Sequence, residues 1–284
     1  MKLDSCFLCG SCSSTIIHNG TRGGYNNINV LRCDDCGLVR LSESIDDVDQ
    51  FYQNSGMRDQ FVESPEKTRV KTRIDDERRF RFAENMIEGK AVLDFGCGDG
   101  GFLCRAKNIA VKVQGVELER AMREGLNKEG IPCCESIDDT GKFDVITLFH
   151  VLEHLDNPVL YLEKFKQHLN KDGLILVEVP NADDALLSLY NSDSFADFTY
   201  WHCHVYLYNN ETLKRLAKKA GLRVKFIQQI QRYTLSNHLY WLSNGKPGGH
   251  QKWAFMNDVQ LDKTYGDLLA KLGIADTLIA GFSV

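Results

Sequence analysis

The feature that most constrains this chain is an apolar run over residues 92–95 that breaks into a glycine-rich turn. The run contains Asp94, glycines follow at positions 96, 98, 100 and 101, and a helical pattern begins after them. A strand that turns into a helix in this way brings backbone amides close to a ligand, and glycine permits the positive φ and the close approach. We therefore expect the turn to hold a nucleotide-like cofactor.

Strand and helix patterns alternate along residues 89–184, which indicates the fold class. Strands are predicted over 91–95, 112–117, 143–149 and 174–179, and helices over 119–129 and 159–169. Strands separated by helices of this length form a parallel sheet with right-handed crossovers. The segments 221–229 and 275–281 are predicted to supply the last two strands of this α/β sheet.

Composition narrows the class of protein and its partners. The 284 residues have room for one large domain and a small module, and a net charge of -5 argues against a large nucleic-acid footprint. No apolar run approaches the about 20 residues of a membrane span, and the N-terminus lacks the apolar core of a signal peptide. We therefore expect a cytoplasmic protein, whose ten cysteines are metal ligands or buried thiols rather than disulfides.

Two cysteine pairs near the N-terminus have the spacing of zinc knuckles. The pairs are Cys6-x2-Cys9 and Cys33-x2-Cys36, and a glycine follows the second cysteine of each. Four thiolates would close a tetrahedral coordination sphere, so the predicted zinc is structural and largely folds a module over residues 1–42. Cys12 is a spare, and a charged, mostly helical cap is predicted over residues 43–88.

The glycine pattern by itself leaves the cofactor open. Gly96-x-Gly98-x-x-Gly101 matches a dinucleotide fingerprint, and Glu117 ends the next predicted strand, where a carboxylate can accept both hydroxyl protons of a ribose. These residues fit NAD and S-adenosylmethionine equally well. An NAD-dependent oxidoreductase therefore remains an alternative.

Further motifs occur in order along the chain and together carry a resemblance. They are Asp94-x-Gly96-x-Gly98-x-Gly100, Gly115-Val116-Glu117, Phe143-Asp144-Val145-Ile146, Val151-Leu152-Glu153-His154-Leu155, Asn157-Pro158, Val179-Pro180-Asn181 and His204-Val205-Tyr206. Over about residues 1–230 the chain resembles class I S-adenosylmethionine-dependent methyltransferases, in particular those with an N-terminal four-cysteine zinc module. The resemblance implies a Rossmann-like methyltransferase fold in residues 89–284: a doubly wound, seven-stranded sheet with a helical lid inserted at about 231–272.

The resemblance also implies roles for single residues at the cofactor. Asp94 and the turn of Gly96, Gly98 and Gly100 would hold the methionine end of S-adenosylmethionine, and Glu117 would bind its ribose. Leu118 and the segment 134–137 would flank the adenine. The pocket would be lined by two residues after the next strand of the sheet, Phe149 and His150.

The segment 200–208 combines two histidines with aromatic residues and is the candidate acceptor site. A hydroxyl acceptor needs a base, and histidine titrates close to neutral pH. We expect His204 or His202 to be the general base, with Tyr200 and His154 shaping the acceptor site. The alternative is a half-buried aromatic strand whose histidines only form hydrogen bonds.

The run His150-Val151-Leu152-Glu153-His154 also reads as an inverted zinc-protease motif. On a helix its two histidines would share a face, but a catalytic zinc would need a third ligand and an open position. We regard a hydrolase as the weaker interpretation, because short motifs often match by accident.

Residues 231–272 combine aromatic rings, cations and a Gly/Pro loop, Gly245-Lys246-Pro247-Gly248-Gly249-His250. This chemistry suits a sugar or phosphate ligand, and the segment resembles an insertion in methyltransferases of surface-polysaccharide gene clusters. The alternatives are a helical hairpin for homodimer contact or simple lid packing.

The predicted function is methyl transfer from S-adenosylmethionine to a small-molecule acceptor. The chain lacks the Asn/Asp-Pro-Pro-Tyr tetrad of many base and amine methyltransferases, so we expect a hydroxyl, or a carbon, of a sugar, nucleotide sugar or polysaccharide precursor. An RNA-modifying enzyme whose zinc module grips RNA is an alternative, although nucleic acid is not the expected partner. A non-catalytic protein that binds the cofactor as a sensor is another.

Overall fold

A computed structural model of the protein describes residues 5–43 and 64–284. Its strands, in chain order, are β1 (Ser14–His18), β2 (Val30–Cys33), β3 (Val39–Leu41), β4 (Ala91–Phe95), β5 (Lys112–Val116), β6 (Cys133–Cys134), β7 (Phe143–Phe149), β8 (Leu169–Pro180), β9 (Tyr206–Leu207), β10 (Arg223–Ile230) and β11 (Thr277–Ser283). Its α-helices are α1 (Pro65–Ile87), α2 (Gly101–Ala106), α3 (Arg120–Lys128), α4 (Pro158–Gln167), α5 (Ala185–Ser188), α6 (Asp193–Thr199), α7 (Asn210–Lys219), α8 (Leu235–Asn244), α9 (Gly249–Lys252) and α10 (Val259–Leu272).

The main sheet has seven strands in the order β10-β11-β8-β7-β4-β5-β6. Strands β4 to β8 pair in parallel, as predicted, whereas β11 is antiparallel to both β8 and β10. The chain leaves β10 at the carboxyl edge of the sheet, forms the lid there and re-enters the sheet at the same edge. Strand β11 therefore runs in the opposite direction to the other six strands. The predicted α/β, doubly wound sheet is confirmed with this one reversed strand.

Alternate residues of the central strands face two different helical layers. Val92 and Val145 belong to the core that includes Ala83 of α1 and Phe102 of α2. Their neighbours Leu93 and Ile146 belong to the other core, with residues of α4 and α7. Both faces are therefore covered, and the carboxyl ends of the strands remain the place for a ligand.

The N-terminal residues form a second sheet that is joined to the rest of the chain. Its order is β1-β2-β3-β9, and β9 comes from the segment that follows Trp201. Arg40 pairs with Tyr206 and Val39 with Leu207 in antiparallel register. The expected module thus shares a sheet with the candidate acceptor segment. Helix α1 lies within the predicted cap over 43–88, of which residues 44–63 lie outside the described residues.

The lid lies between β10 and β11 and consists of α8, α9, a short 3-10 helix (Ala254–Met256) and α10. Its aromatic rings pack on protein: Trp241 contacts Phe195 with ring centroids 5.2 Å apart, and Tyr240 contacts Trp253 at 5.2 Å. The amide of Gly249 donates to Asn237 Oδ1 over 3.1 Å. These contacts match the alternative of lid packing.

Within the described ranges, no helix combines the length and the apolar character that crossing a bilayer requires.

Candidate cofactor and acceptor site

The backbone amides of the glycine turn after β4 donate hydrogen bonds to acceptors within the chain. The amides of Gly96 and Cys97 donate to Val116 O over 2.8 and 3.1 Å, and the amide of Gly98 donates to Glu117 Oε2 over 2.8 Å. The amides of Gly100 and Gly101 donate to Cys97 O and Asp99 Oδ1. The expectation that this turn presents bare amides to a ligand is therefore wrong for these five residues.

Glycine is needed in the turn for conformation and close packing. The φ angles of Gly96, Gly98 and Gly100 are 74°, 54° and 71°, a region that other residues rarely adopt. A Cβ on Gly96 would lie 2.5 Å from Val151 Cγ2. The turn therefore lies directly against the segment that follows β7.

Asp94 is a buried carboxyl group at the carboxyl end of β4. Only 4% of the residue is exposed, and Thr147 Oγ1 donates to Asp94 Oδ1 over 2.7 Å. Burial raises the pKa of Asp94 to about 7, although the hydrogen bond from Thr147 acts in the opposite direction. A buried carboxyl group that is poised between its two forms suits a cationic ligand group.

Glu117 directly follows β5 and is held by the backbone on both carboxylate oxygens. Oε2 accepts from Gly98 N and Oε1 accepts from Glu119 N, each over 2.8 Å. Each oxygen has a second lone pair, so the carboxylate can still accept a hydroxyl group. Leu118, the next residue, is half-buried, as a residue beside a flat ligand would be.

Phe149 and His150 follow at the end of β7. The Phe149 ring meets Phe102 edge to face with centroids 4.9 Å apart, and the Arg79 guanidinium lies 5.1 Å from the Phe149 centroid. His150 has a φ of 57°, and its Nδ1 and Nε2 lie 3.1 Å from Glu153 Oε1 and 3.2 Å from Glu178 Oε1. Burial lowers the pKa of His150, but these two carboxylates reverse the shift and raise it overall.

Sequence reasoning missed a buried cluster of charges around Glu178. Arg78 binds both oxygens of Glu178 over 2.8 and 3.0 Å, and Arg79 Nε donates to Oε1 over 2.9 Å. Arg232 of the lid pairs with Asp75 of α1 over 2.5 Å. The available signal was a lone glutamate inside the apolar end of β8, which must find cations when it is buried.

The structure brings two of the four predicted catalytic residues together. The rings of His154 and His204 meet edge to face with centroids 4.9 Å apart. His154 Nδ1 donates to Cys203 O over 2.8 Å, and Glu153 adjoins both histidines. Burial lowers the pKa of both histidines, and that of His204 to about 3, so both are neutral near pH 7.

The other two predicted catalytic residues pack against the N-terminal residues. Tyr200 belongs to a core with Val30, Val39 and Leu207, and its pKa is raised by burial. His202 Nδ1 lies 2.9 Å from Arg22 O, and its ring is 4.3 Å from that of Tyr25.

The inverted protease motif does not form one two-histidine face. Only Leu152–His154 forms a short 3-10 helix, and His150 precedes it with positive φ. His150 points to Glu153 and Glu178, whereas His154 groups with Glu153 and His204.

The four N-terminal cysteines converge as the two pairs predict. Cys6 and Cys36 have their Sγ atoms 3.5 Å apart, as do Cys9 and Cys33, and all four Sγ atoms lie within 4.8 Å of one another. Four sulfur atoms about 2.3 Å from a central ion are this close, so the thiols fit tetrahedral zinc.

Comparison with protein families decides the assignment. A family described as "Methyltransferase domain" matches residues 67–225, more than half of the chain. The chain belongs to this methyltransferase family. The matched range contains the glycine turn, Glu117 and the His154–His204 pair, so the predicted class is confirmed.

The curated relatives of this methyltransferase match over part of its length. "Ubiquinone biosynthesis O-methyltransferase, mitochondrial" of Candida albicans is 30% identical over 131 residues, 40% of each chain. "tRNA U34 carboxymethyltransferase" of Campylobacter hominis is 31% identical over 124 residues, 39% of this chain and 43% of the relative. The matches thus span less than half the length of these relatives.

Solved structures support the fold. A SAM-dependent methyltransferase from Archaeoglobus fulgidus superposes with a TM-score of 0.52 at 21% identity, covering 74% of this chain and 94% of that one. A methyltransferase described as a possible histamine N-methyltransferase from Thermotoga maritima gives 0.50 at 18% identity, covering 77% and 93%. At these identities the likeness concerns the fold alone.

Proposed function

We propose that this methyltransferase transfers the methyl group of S-adenosylmethionine to an oxygen atom of its acceptor. The observation that carries the proposal is the pair of carboxyl groups, Asp94 and Glu117, held on either side of the glycine turn. One can attract the ammonium group of the donor, and the other can accept its ribose hydroxyls. The donor supplies a methyl group already activated by a sulfonium.

The hydrogen bonds of the turn favour this donor over NAD. A dinucleotide needs backbone amides to bind its pyrophosphate. The five amides from Gly96 to Gly101 described above already donate within the chain. S-Adenosylmethionine has no phosphate and makes no such demand, so we set the oxidoreductase alternative aside.

We place the acceptor beside Glu153, His154 and His204. Val151, in contact with the glycine turn, lies two positions before Glu153, and His204 packs on His154, so the group adjoins the proposed cofactor pocket. When an acceptor hydroxyl attacks the methyl carbon, the C–S bond breaks, its electron pair stays on sulfur, and the hydroxyl proton must be accepted. His154 and His204 offer neutral ring nitrogens for that proton. For His202 and Tyr200 a role in catalysis stays a prediction from the sequence.

The chemical class of the acceptor is proposed only as an oxygen nucleophile. The relatives named above act, by their names, in ubiquinone biosynthesis as O-methyltransferases or on tRNA. None of these names supports the sugar or polysaccharide acceptor expected from the sequence. The inward packing of the lid rings gives that expectation no support either.

The donor site is tested by calorimetry with S-adenosylmethionine and its demethylated product. We expect binding to the wild-type chain and about 10- to 100-fold weaker binding to Glu117→Gln, because the substitution removes a charged acceptor of hydrogen bonds. Glu124→Gln, which alters an exposed pair with Arg120, is the matched control and should bind normally. Absence of binding to zinc-replete, folded wild-type protein would refute the proposal. Transfer of a labelled methyl group to phenols, sugars and RNA then identifies the acceptor.

A groove beside the cysteine pairs favours RNA as a second candidate acceptor. The groove has a volume of about 620 Å³, and α7 contributes most of its lining, which comprises Leu8, Glu211, Lys214, Arg215, Lys218 and Lys219. A row of cations is the usual contact for a phosphate backbone. If RNA is the acceptor, its affinity should fall steeply with salt. Lys214→Glu/Lys218→Glu should weaken binding more than Lys128→Glu/Lys171→Glu, which makes the same change of charge elsewhere.

We also propose that Cys6, Cys9, Cys33 and Cys36 hold a structural zinc ion. Support comes from the convergence of the four sulfur atoms and from a donor set that leaves no position for a substrate. When bound, the ion would cross-link the turns before β1 and after β2.

A further inference from the structure

The acceptor side of the site contains a compact group of metal-ligand side chains, which we call the Glu–His–His cluster: Glu153, His154 and His204. One ligand atom from each residue lies within 4.8 Å of the other two. Glu153 is fully buried, His154 is 8% exposed, and His204 is half-buried. The cluster is therefore largely enclosed, and His204 is its most exposed member.

The cluster contains two buried polar atoms whose surroundings are unusual. Among the described residues, neither Glu153 Oε2 nor His204 Nδ1 has a hydrogen-bond partner. Buried polar atoms are nearly always paired, so two such atoms in one cluster require an explanation. A carboxylate oxygen and an imidazole nitrogen each offer a lone pair, and a bound cation satisfies lone pairs of this kind.

Hydrogen bonds already hold two of the ligands in place. His154 Nδ1 donates to Cys203 O over 2.8 Å, which leaves the lone pair on Nε2. The His204 ring also interacts with the backbone of Thr199, and its Nδ1 has no partner among the described residues. Glu153 Oε1 accepts from His150 Nδ1 over 3.1 Å. Ligands of metal ions are typically oriented by such outer hydrogen bonds.

We propose that the Glu–His–His cluster binds one divalent transition-metal ion, in addition to the four-cysteine site. Two imidazoles and one carboxylate are a donor set found at zinc sites that keep a coordination position open. The remaining position would be available to an acceptor hydroxyl. This site differs from the inverted protease motif, because His150 is an outer partner of Glu153 and His204 takes its place as a ligand.

The role of the ion rests on the proposed function. An ion here would hold an acceptor hydroxyl beside the donor and lower the pKa of its proton. With the ion bound, the ring nitrogens of His154 and His204 would be ligands rather than bases, so the ion would acidify the hydroxyl and its proton would pass to water.

The test is a titration of the zinc-loaded, full-length chain with Co²⁺, followed by visible absorption. We expect one further equivalent to bind with weak d–d bands and no thiolate-to-cobalt charge-transfer band. His204→Ala should lose this equivalent, and His168→Ala, which changes a histidine outside the cluster, should keep it. His204→Cys should bind Co²⁺ and add a thiolate charge-transfer band, which arises only if position 204 is a ligand.

Three outcomes would overturn the proposal: no second equivalent in the wild type, a second equivalent that survives His204→Ala, or no new band in His204→Cys. Retained zinc and binding of the demethylated donor, measured on each variant, report whether the variant is folded. The same binding measurement separates the two proposals, because failure of the donor site removes it from the wild type, whereas failure of the metal site does not.

Discussion

Asp94 illustrates how the surroundings of one residue determine its chemistry. The carboxyl group is buried at the end of β4 with Thr147 as its hydrogen-bond donor, and burial raises its pKa to about 7. Only the ionised form attracts the ammonium group of the proposed donor. Binding should therefore favour the ionised form and release a proton when the free protein holds Asp94 protonated.

We predict that affinity for the demethylated donor rises with pH through about 7 and then levels off. With a pKa near 7, about a tenth of Asp94 is ionised at pH 6 and about nine tenths at pH 8, so affinity should differ about tenfold. Calorimetry in matched buffers measures this change. Asp94→Asn should bind weakly with a flat profile, and Thr147→Val should move the rise to higher pH. A wild-type profile that is flat between pH 6 and 8 would show that Asp94 does not act in this way.

At the scale of elements, the glycine turn between β4 and α2 determines how closely the chain there packs against the segment after β7. Gly96 has positive φ, and the position of a Cβ on it is occupied by Val151. Val151 is followed at once by the 3-10 helix Leu152–His154, which carries two members of the Glu–His–His cluster. The glycine thus keeps the proposed donor and acceptor sides in contact.

We predict that Gly96→Ala destabilises the fold by about 2–4 kcal/mol, from the strained φ and the clash together. Urea unfolding measures the loss, and adding Val151→Ala should recover the part due to the clash. Gly89→Ala measures the cost of the positive φ alone, since Gly89 has a φ of 65° and no atom of the described residues lies within 4 Å of the added Cβ. Gly141→Ala has neither problem and should be neutral. A loss for Gly96→Ala no larger than that for Gly89→Ala would exclude the clash.

At the scale of the molecule, the N-terminal sheet and the acceptor side form one unit. Strand β9 pairs with β3 and follows His204 by two residues, so the four-cysteine site is linked through one sheet to the Glu–His–His cluster. Cys6 and Cys36 also belong to the same core as Val205 and Tyr206. Loss of zinc should therefore disturb the acceptor side.

We predict that Cys33→Ser lowers the metal content by one equivalent. It should also reduce the hydrogen-exchange protection of β2, β3 and β9 by about tenfold or more. In the wild type, opening these strands would also disrupt the metal site, and this cost is absent from the variant. Protection of β4 and β7 in the main sheet should change little. Cys12→Ser removes an exposed cysteine outside the four-cysteine site and should keep both the metal and the protection. Unchanged protection of β9 in Cys33→Ser would contradict a link through the shared sheet.

Local sequence patterns were sufficient for several parts of the fold and the site. The strands over 91–95 and 143–149 have the predicted bounds, since an apolar run bounded by turn residues is a local signal. The cysteine pairs are a local signal too, because two intervening residues place both thiols of a pair on one turn. The family motifs placed Asp94 and Glu117 at strand ends, where the structure has them.

Features that depend on distant residues needed the tertiary structure. Arg78 meets Glu178 100 positions away, and Arg232 meets Asp75 157 positions away. Three further features depend on neighbouring segments in the same way. They are the reversed direction of β11, the hydrogen bonds made by the amides of the glycine turn, and the separation of His204 from His202. Sequence by itself determined the fold class, the cysteine pairs and the strand-end carboxylates, because each is encoded within a few residues. Only the tertiary structure decided which side chains contact one another. A buried charge or lone pair cannot reach water, so it pairs with the group that the packing places beside it.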